Sequence, residues 1–368
     1  MSACDACLRR SNVIATLAPR IEGLLQRPSD RVRAVLCLPD EDLVNALVPE
    51  DRMHEAVDAI GGFDPDAARQ VARDAGADLF CPHHDGYPEL LRDKPDSPPV
   101  LWARGRVDRL DELLGTPAVA LVGSRRASAY GLEVAEELGR GLSAAGVTVI
   151  SGMALGIDAA AHRGALCSAD PRTIAVLGSG VDVPYPRANL RLYDEIRGHG
   201  VILSEVPPGR RPFRWTFPAR NRIMAALAEM TVVVEAAEPS GSLITAEFAT
   251  DLGRSVGAVP GRVTSSMAAG SNRLLRDGAH VVRHAGDVLD ELFGAGAAER
   301  IEQATPELGG IEQSVLIEIE QGADSGSIAA ALGLEAGEAR AVLGRLEMLG
   351  VIKRTGIGSY QRTAGRHP

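Results

Sequence analysis

The apolar positions of this chain change their period near residue 118. Before it they recur at helical spacing. Val13, Ile14, Leu17, Ile21, Leu24 and Leu25 form one stripe, Leu43, Val44 and Leu47 a second, and Ala67 to Ala75 a third short helix. Pro82 to Pro99 is dense in Pro, His and Asp and reads as a connecting loop. From Ala118 onward, short apolar runs alternate with amphipathic stretches. The runs Ala118–Val122, Val147–Ser151, Thr173–Leu177, Val201–Ser204, Thr231–Glu235 and Val256–Val259 predict strands. Tyr130–Ala145, Gly156–Leu166, Ala188–Arg197, Asn221–Ala228 and Ser242–Gly253 predict helices.

Strands without apolar–polar alternation are covered on both faces, and their alternation with helices implies parallel βαβ units. The expected fold is therefore α/β, a Rossmann-like doubly wound parallel sheet ending near Phe293. It divides the chain into an N-terminal helical region (1–105), a Rossmann-like core (106–293), a Gly/Ala-rich linker (294–308) and a C-terminal unit (309–368). In the last, Ile328–Leu332, a turn at Gly333-Leu334 and Glu338–Leu349 make a helix-turn-helix pattern. Val351–Arg354 and Ser359–Arg362 read as a hairpin, so a winged-helix domain is expected.

Length and composition narrow the function. At 368 residues with 45% hydrophobic content, two or three globular domains are expected. No run of about 18 apolar residues predicts a membrane span. The first residues lack a signal peptide's basic start and apolar core, so the protein reads as cytoplasmic. Five cysteines are too few and scattered for a disulfide framework. Cys4 and Cys7 form half of a zinc site. The other half would have to come from Cys37, Cys81, His83 or His84, and with no second C-x-x-C or H-x₃₋₅-H no metal is expected.

The net charge of −10 would repel a polyanion, so any nucleic-acid contact must come from a local patch. Such a patch exists. Between Val206 and Ala228 lie Arg210, Arg211, Arg214, Arg220 and Arg222, with Trp215 and Phe217 among them and no carboxylate. Phe217-Pro-Ala-Arg-Asn-Arg222 opens a predicted helix. Guanidinium groups and helix-start N–H groups suit phosphates, and rings suit unstacked bases.

Ligands of an open parallel sheet bind beyond the carboxyl ends of its strands. Four small-residue turns fall there: Gly123-Ser124-Arg125-Arg126 leading to Ser128, Ser151-Gly152, Gly178-Ser179-Gly180, and Ser240-Gly241-Ser242. Arg187, before another helix start, is a further candidate phosphate contact. No G-x-x-x-x-G-K-[ST] occurs, and Arg125 stands where a dinucleotide fingerprint needs glycine. Asp158 and His162 share a helix face but lack the partners of a catalytic or metal site; Asp158 is expected to brace the Gly156 turn. No cofactor and no catalysis are expected. The second helix of the C-terminal pattern carries Glu335, Glu338, Arg340, Arg345 and Glu347, a poor match to duplex DNA.

Several ordered motifs resemble the DNA-processing protein A family (DprA, also called Smf). They are Val122-Gly-Ser-Arg125 with Ser128-Ala-Tyr-Gly131, Ser151-Gly-Met-Ala-Leu-Gly-Ile-Asp158, Phe217-Pro-Ala-Arg-Asn-Arg222, Ser240-Gly-Ser-Leu-Ile-Thr-Ala246 and Val259-Pro-Gly261. Tyr87-Pro-Glu-Leu-Leu91 and Pro98-Pro-Val-Leu101 look like the family's lead-in to its core. The resemblance covers about residues 80 to 285. It implies a non-enzymatic protein that binds and protects incoming single-stranded DNA in natural transformation (competence), forms homodimers and loads the RecA recombinase. It also implies that Arg125, Arg187, Phe217, Arg220 and Arg222 lie within DNA-contacting motifs, and that the N-terminal region is SAM/helix-hairpin-helix-like. The alternative is a phosphoribohydrolase-like nucleotide-processing enzyme on the same fold, whose Pro-Gly-Gly-x-Gly-Thr turn is absent here. A third reading is a winged-helix regulator with a ligand-sensing core.

Overall fold

The N-terminal stripes fold as five helices: α1 (Asp5–Leu24), α2 (Val32–Leu36), α3 (Asp40–Leu47), α4 (Met53–Gly61) and α5 (Pro65–Asp74). They belong to a computed structural model that describes residues 3–25, 32–297, 299, 310–348, 351–356 and 358–362. Helix α5 starts where Asp64 accepts the Asp66 N–H and Pro65 takes the first helical position, which needs no N–H. The α1 stripe of Val13, Leu17, Ala18 and Ile21 packs with Val32, Leu43 and Ala56, and this core also takes in Trp215 and Ala219.

Nine strands form the main sheet: β1 (Asp78–Phe80), β2 (Leu101–Gly105), β3 (Ala118–Val122), β4 (Thr148–Ser151), β5 (Thr173–Leu177), β6 (Val201–Ser204), β7 (Met230–Val233), β8 (Ser255–Ala258) and β9 (His280–Val281). Their order is β1-β2-β6-β5-β4-β3-β7-β8-β9. From β6 to β9 all neighbours are parallel, while β2 runs antiparallel to β6 and β1 antiparallel to β2. All six expected strands are present within two residues at each end. The first two strands correct the expected purely helical region 1–105. β1 has only three residues, and β2 follows Pro98-Pro99 and ends in Arg104-Gly105, so neither shows a uniform apolar run. The sheet therefore starts at Asp78 rather than after residue 105.

The covering helices are α6 (Glu89–Arg92), α7 (Leu110–Leu114), α8 (Ala129–Ala144), α9 (Ile157–Leu166), α10 (Leu190–His199), α11 (Thr216–Leu227), α12 (Gly241–Asp251), α13 (Ala269–Arg276) and α14 (Ala285–Phe293). Successive residues of β3 point to opposite faces. Val119 and Leu121 pack with Leu138, Leu142 and Ile157 on one side, and Ala120 and Val122 with Ile223 and Met224 on the other. Both faces are apolar for that reason. The chain builds β3 to β6 in one direction, then returns to place β7 on the far side of β3. The carboxyl ends of β3 and β7 thus flank the switch point, where such sheets bind ligands.

The C-terminal unit holds α15 (Gly310–Glu320), α16 (Ser325–Leu332), α17 (Ala336–Met348) and the antiparallel hairpin β10 (Ile352–Gly356) and β11 (Ser359–Arg362). Asp324 caps α16 through the N–H groups of Gly326 and Ser327, and Gly333 ends it in the left-handed region. Val315, Leu316, Ile319, Ile328, Leu343 and Leu346 form its own core. Of the expected linker, residues 298 and 300–308 lie outside the described residues, as does Leu349. Among the described residues no helix is long and apolar enough to cross a membrane.

Candidate nucleic-acid interface

At the carboxyl end of β3 the chain turns tightly against β7. Ser124 donates its N–H to the Glu235 carbonyl at 2.7 Å, and Ile157 donates to the Ser124 carbonyl at 3.2 Å. Arg126 N–H donates to Ser124 Oγ. Ser128 caps α8 by accepting the Gly131 N–H. Its own N–H and hydroxyl donate to the two carboxylate oxygens of Glu235, at 2.7 and 2.8 Å. Glu235 is 6% exposed. The helix N-terminus at the switch point is the place where a doubly wound nucleotide binder seats a pyrophosphate. Here the protein's own carboxylate fills it. Gly123, Ser124 and Ser128 are accordingly backbone and capping positions. The phosphate reach of this turn rests on Arg125 and Arg126, both exposed.

The Gly152 turn is braced from within. Asp158 accepts the N–H groups of Gly152 and Ala154 at 3.2 and 3.3 Å, as expected of a turn brace, and lies 3.5 Å from the Arg220 guanidinium. Arg220 in turn donates to the carbonyls of Gly152 and Val176 and, through Nε, to Asn221 Oδ1. A Cβ on Gly152 would stand 1.8 Å from that guanidinium, so the close approach requires glycine. Burial pushes the Asp158 carboxyl above its usual range and the Arg220 guanidinium below its own, and each partner's charge opposes the shift. His162 donates or accepts at Thr173 Oγ1 at 2.8 Å, and burial holds its pKa near about 3, so it is neutral.

These contacts correct the expected roles of three residues. Arg220 and Arg222 are only 6% and 5% exposed, and Asn221 is buried with its amide on the Gly241 carbonyl. Arg222 pairs with Glu205 at 2.6 Å and lies 3.7 Å from Asp96. None of the three presents its side chain to a strand on the surface. Helix α11 starts five residues earlier than its sequence pattern predicts and is buried nearly all round, so its cations face the interior. Trp215 is also internal, with its indole N–H on the Ala18 carbonyl and its backbone N–H on the Glu22 carboxylate.

Phe217, by contrast, is partly exposed at the start of α11. The Arg125 guanidinium carbon lies 4.9 Å from its ring centroid, and the Tyr185 ring lies 5.5 Å away, tilted by 40°. Arg125, Arg126, Arg187, Arg210, Arg211 and Arg214 are all exposed, and none has a carboxylate partner among the described residues. Arginines elsewhere, such as Arg10, Arg69 and Arg109, are ion-paired.

The supporting loops are tied together. Gly180 donates to the Arg210 carbonyl, Gly209 to Asp182, and the Asn189 amide to the Met153 carbonyl. The Tyr185–Phe217 ring pair is a tertiary contact between residues 32 positions apart, with no local signal in the sequence. Ser240 caps α12, with its hydroxyl 2.8 Å from that of Ser242, and Gly241 sits against Asn221.

Fold and site together define a doubly wound α/β protein with an internally capped switch-point helix and an exposed, aromatic and cationic carboxyl edge. The chain belongs to the DNA recombination-mediator protein A family, whose model matches residues 78–293, from the first strand to the last helix of the sheet domain. It is 44% identical over 207 residues to the DNA processing protein DprA of Streptococcus pneumoniae, covering 56% of this chain and 71% of that one. It is 39% identical over 238 residues to Protein Smf of Synechocystis, covering 65% of this chain and 57% of that relative. The chain thus spans little more than half the length of the Synechocystis protein. Among solved structures, DprA of S. pneumoniae aligns with a TM-score of 0.62 at 34% identity, over 78% of this chain and 96% of that one. DprA of Helicobacter pylori, whose structure was described for its single-stranded DNA binding mode, aligns with a TM-score of 0.53 at 30% identity, over 59% of this chain and 95% of that one.

Proposed function

We propose that this protein holds single-stranded DNA along the carboxyl edge of its sheet. It would act without catalysis, as a cytoplasmic recombination mediator that protects incoming strands in natural transformation and, as a homodimer, passes them to the RecA recombinase. The observation that carries the DNA reading is the Phe217 ring, in contact with both Arg125 and Tyr185, together with five further exposed arginines that lie on the chain segments carrying these three residues and have no carboxylate partner among the described residues. A base stacks on an aromatic face whatever its identity, and free guanidinium groups take the flanking phosphates. Family membership and the strand-binding H. pylori relative support the same reading. The Glu235 carboxylate at the α8 N-terminus weighs against a nucleotide-processing enzyme, since it occupies the phosphate seat. The C-terminal helices and hairpin fit a winged-helix unit. Arg345 pairs with Glu312 and Arg354 with Glu347, which favours a protein contact over duplex binding there.

The test is fluorescence anisotropy with labelled single- and double-stranded oligonucleotides at two salt concentrations. Wild type is expected to prefer the single strand. Phe217→Ala and Arg125→Ala are each expected to weaken it by about 1–3 kcal/mol while remaining folded. Folded variants that bind as wild type does would move the site elsewhere.

A further inference from the structure

Away from the DNA edge, four metal-type ligands converge where α1 meets the first strand. Cys4 stands at the start of α1 and Cys7 in its first turn; Cys81 directly follows β1, and His83 lies in the turn beyond. The three sulfur atoms and one histidine nitrogen all lie within 4.8 Å of one another. His83 Nδ1 is 3.5 Å from Cys4 Sγ and 3.4 Å from Cys7 Sγ, and Cys4 N–H points at Cys81 Sγ at 3.4 Å. Zinc bonds of about 2.3 Å to sulfur and about 2.0–2.1 Å to nitrogen place tetrahedral ligand atoms roughly 3.5–3.8 Å apart. The observed cluster needs only a small contraction to reach that geometry.

We propose that Cys4, Cys7, Cys81 and His83 form a structural zinc site of the Cys₃His type. The ligand set is soft and closed, with no carboxylate and no open position for substrate, which is the pattern of a structural rather than a catalytic ion. Cys7 and Cys81 are 7% and 1% exposed, set among Leu8, Leu79 and Trp102, while His83 faces solvent and offers an entry path. The Cys4 N–H aimed at Cys81 Sγ is the kind of outer contact that steadies a thiolate ligand. Arg69 fixes the segment further by bonding the Ala3 carbonyl and the Asp5 carboxylate. This proposal departs from the expectation of no metal. The missing half-site sits 77 residues along the chain, on a C-x-H spacing that matches no common zinc pattern.

The ion would clamp the beginning of α1 to the edge of the sheet. The far end of the same helix holds Trp215 through Ala18 and Glu22, two residues before Phe217. Zinc would thereby fix the helix that buttresses the proposed stacking ring.

The experiment is elemental analysis of full-length protein purified under reducing conditions without chelator or metal column, followed by Co(II) titration of the stripped protein. About one zinc per chain is expected, with a thiolate-to-cobalt band and the visible bands of a tetrahedral ion. Cys81→Ser should lose both, and Cys167→Ser neither. Because Cys81 is buried, the exposed His83→Ala serves as the variant that stays folded, with metal affinity reduced roughly 10–100-fold or more. A metal-free wild type that gives no tetrahedral cobalt spectrum would overturn the site. So would iron in place of zinc, or a Cys4–Cys7 disulfide in the freshly purified protein.

Discussion

Arg214 and Arg222 differ in position by eight residues and have opposite surroundings. Arg214 is exposed and without an acid, so Arg214→Ala should leave stability unchanged and weaken DNA binding. Arg222 is sealed against Glu205 and the buried Asp96, so Arg222→Ala leaves these largely buried carboxylates without its charge and should cost ~3–5 kcal/mol of stability. Urea denaturation of the two variants separates these outcomes, and equal midpoints would contradict the burial argument. His162 gives a pH signature. Burial depresses its pKa to about 3, against about 6.5 in the unfolded chain. Between those values the unfolded state holds a proton that the folded state does not. Stability is therefore full above about pH 6.5 and falls as pH drops toward 3, by ~2 kcal/mol at about pH 5. His162→Gln should flatten that part of the profile. Comparing unfolding midpoints at about pH 7.5 and about pH 5 in both proteins cancels the contribution of Asp158. A wild-type slope no steeper than that of the variant would show the site to be hydrated.

At the scale of elements, the turn before α9 connects stability to binding. Gly156 has φ 79° and ψ −126°, a region open to glycine alone, and a Cβ there would meet the Ser124 carbonyl at 2.2 Å. Gly156→Ala should cost on the order of 2–3 kcal/mol and loosen the loop that carries Arg125, so thermal stability and strand binding should fall together. Wild-type thermal stability in this variant would refute the strain. Most elements of the core were legible because they repeat a local rule. Uniformly apolar runs of four or five residues became buried parallel strands, and amphipathic stretches became their crossovers. Strands β1 and β9 were not legible because three and two residues define no pattern, and β2 was not because its apolar start runs into Arg104-Gly105 rather than continuing as a uniform run. Helix α11 was placed but its start was misjudged, because a helix buried all round has no polar face to mark its limits.

At the scale of the molecule, a net charge of −10 forces any DNA contact to be local and sensitive to salt. With six exposed arginines on the segments at the sheet's carboxyl edge, free of carboxylate partners among the described residues, the logarithm of single-strand affinity should fall with that of salt at a slope between about −2 and −4. A chain ending at Ala297 should bind within about two-fold of wild type, because the ion pairs of α17 leave it little net attraction for phosphate. A loss above about ten-fold would place part of the site in the C-terminal unit. Such a truncation also tests whether that unit acts through protein contacts instead.

The sequence alone determined the doubly wound sheet, the turns at its carboxyl edge and the arginine–aromatic segment that reaches it. These depend on spacing between near neighbours, where the periods of strand and helix are written directly into residue type. Tertiary structure decided which cations meet water. Arg220 and Arg222 turned inward to Asp158 and Glu205, leaving Arg125, Arg187 and Arg214 outside, and Tyr185 came to rest against Phe217. It also seated Glu235 on the α8 N-terminus and gathered Cys4, Cys7, Cys81 and His83 at one point. Burial and pairing join residues tens of positions apart, and no local pattern in the chain records which of two identical side chains will find a partner.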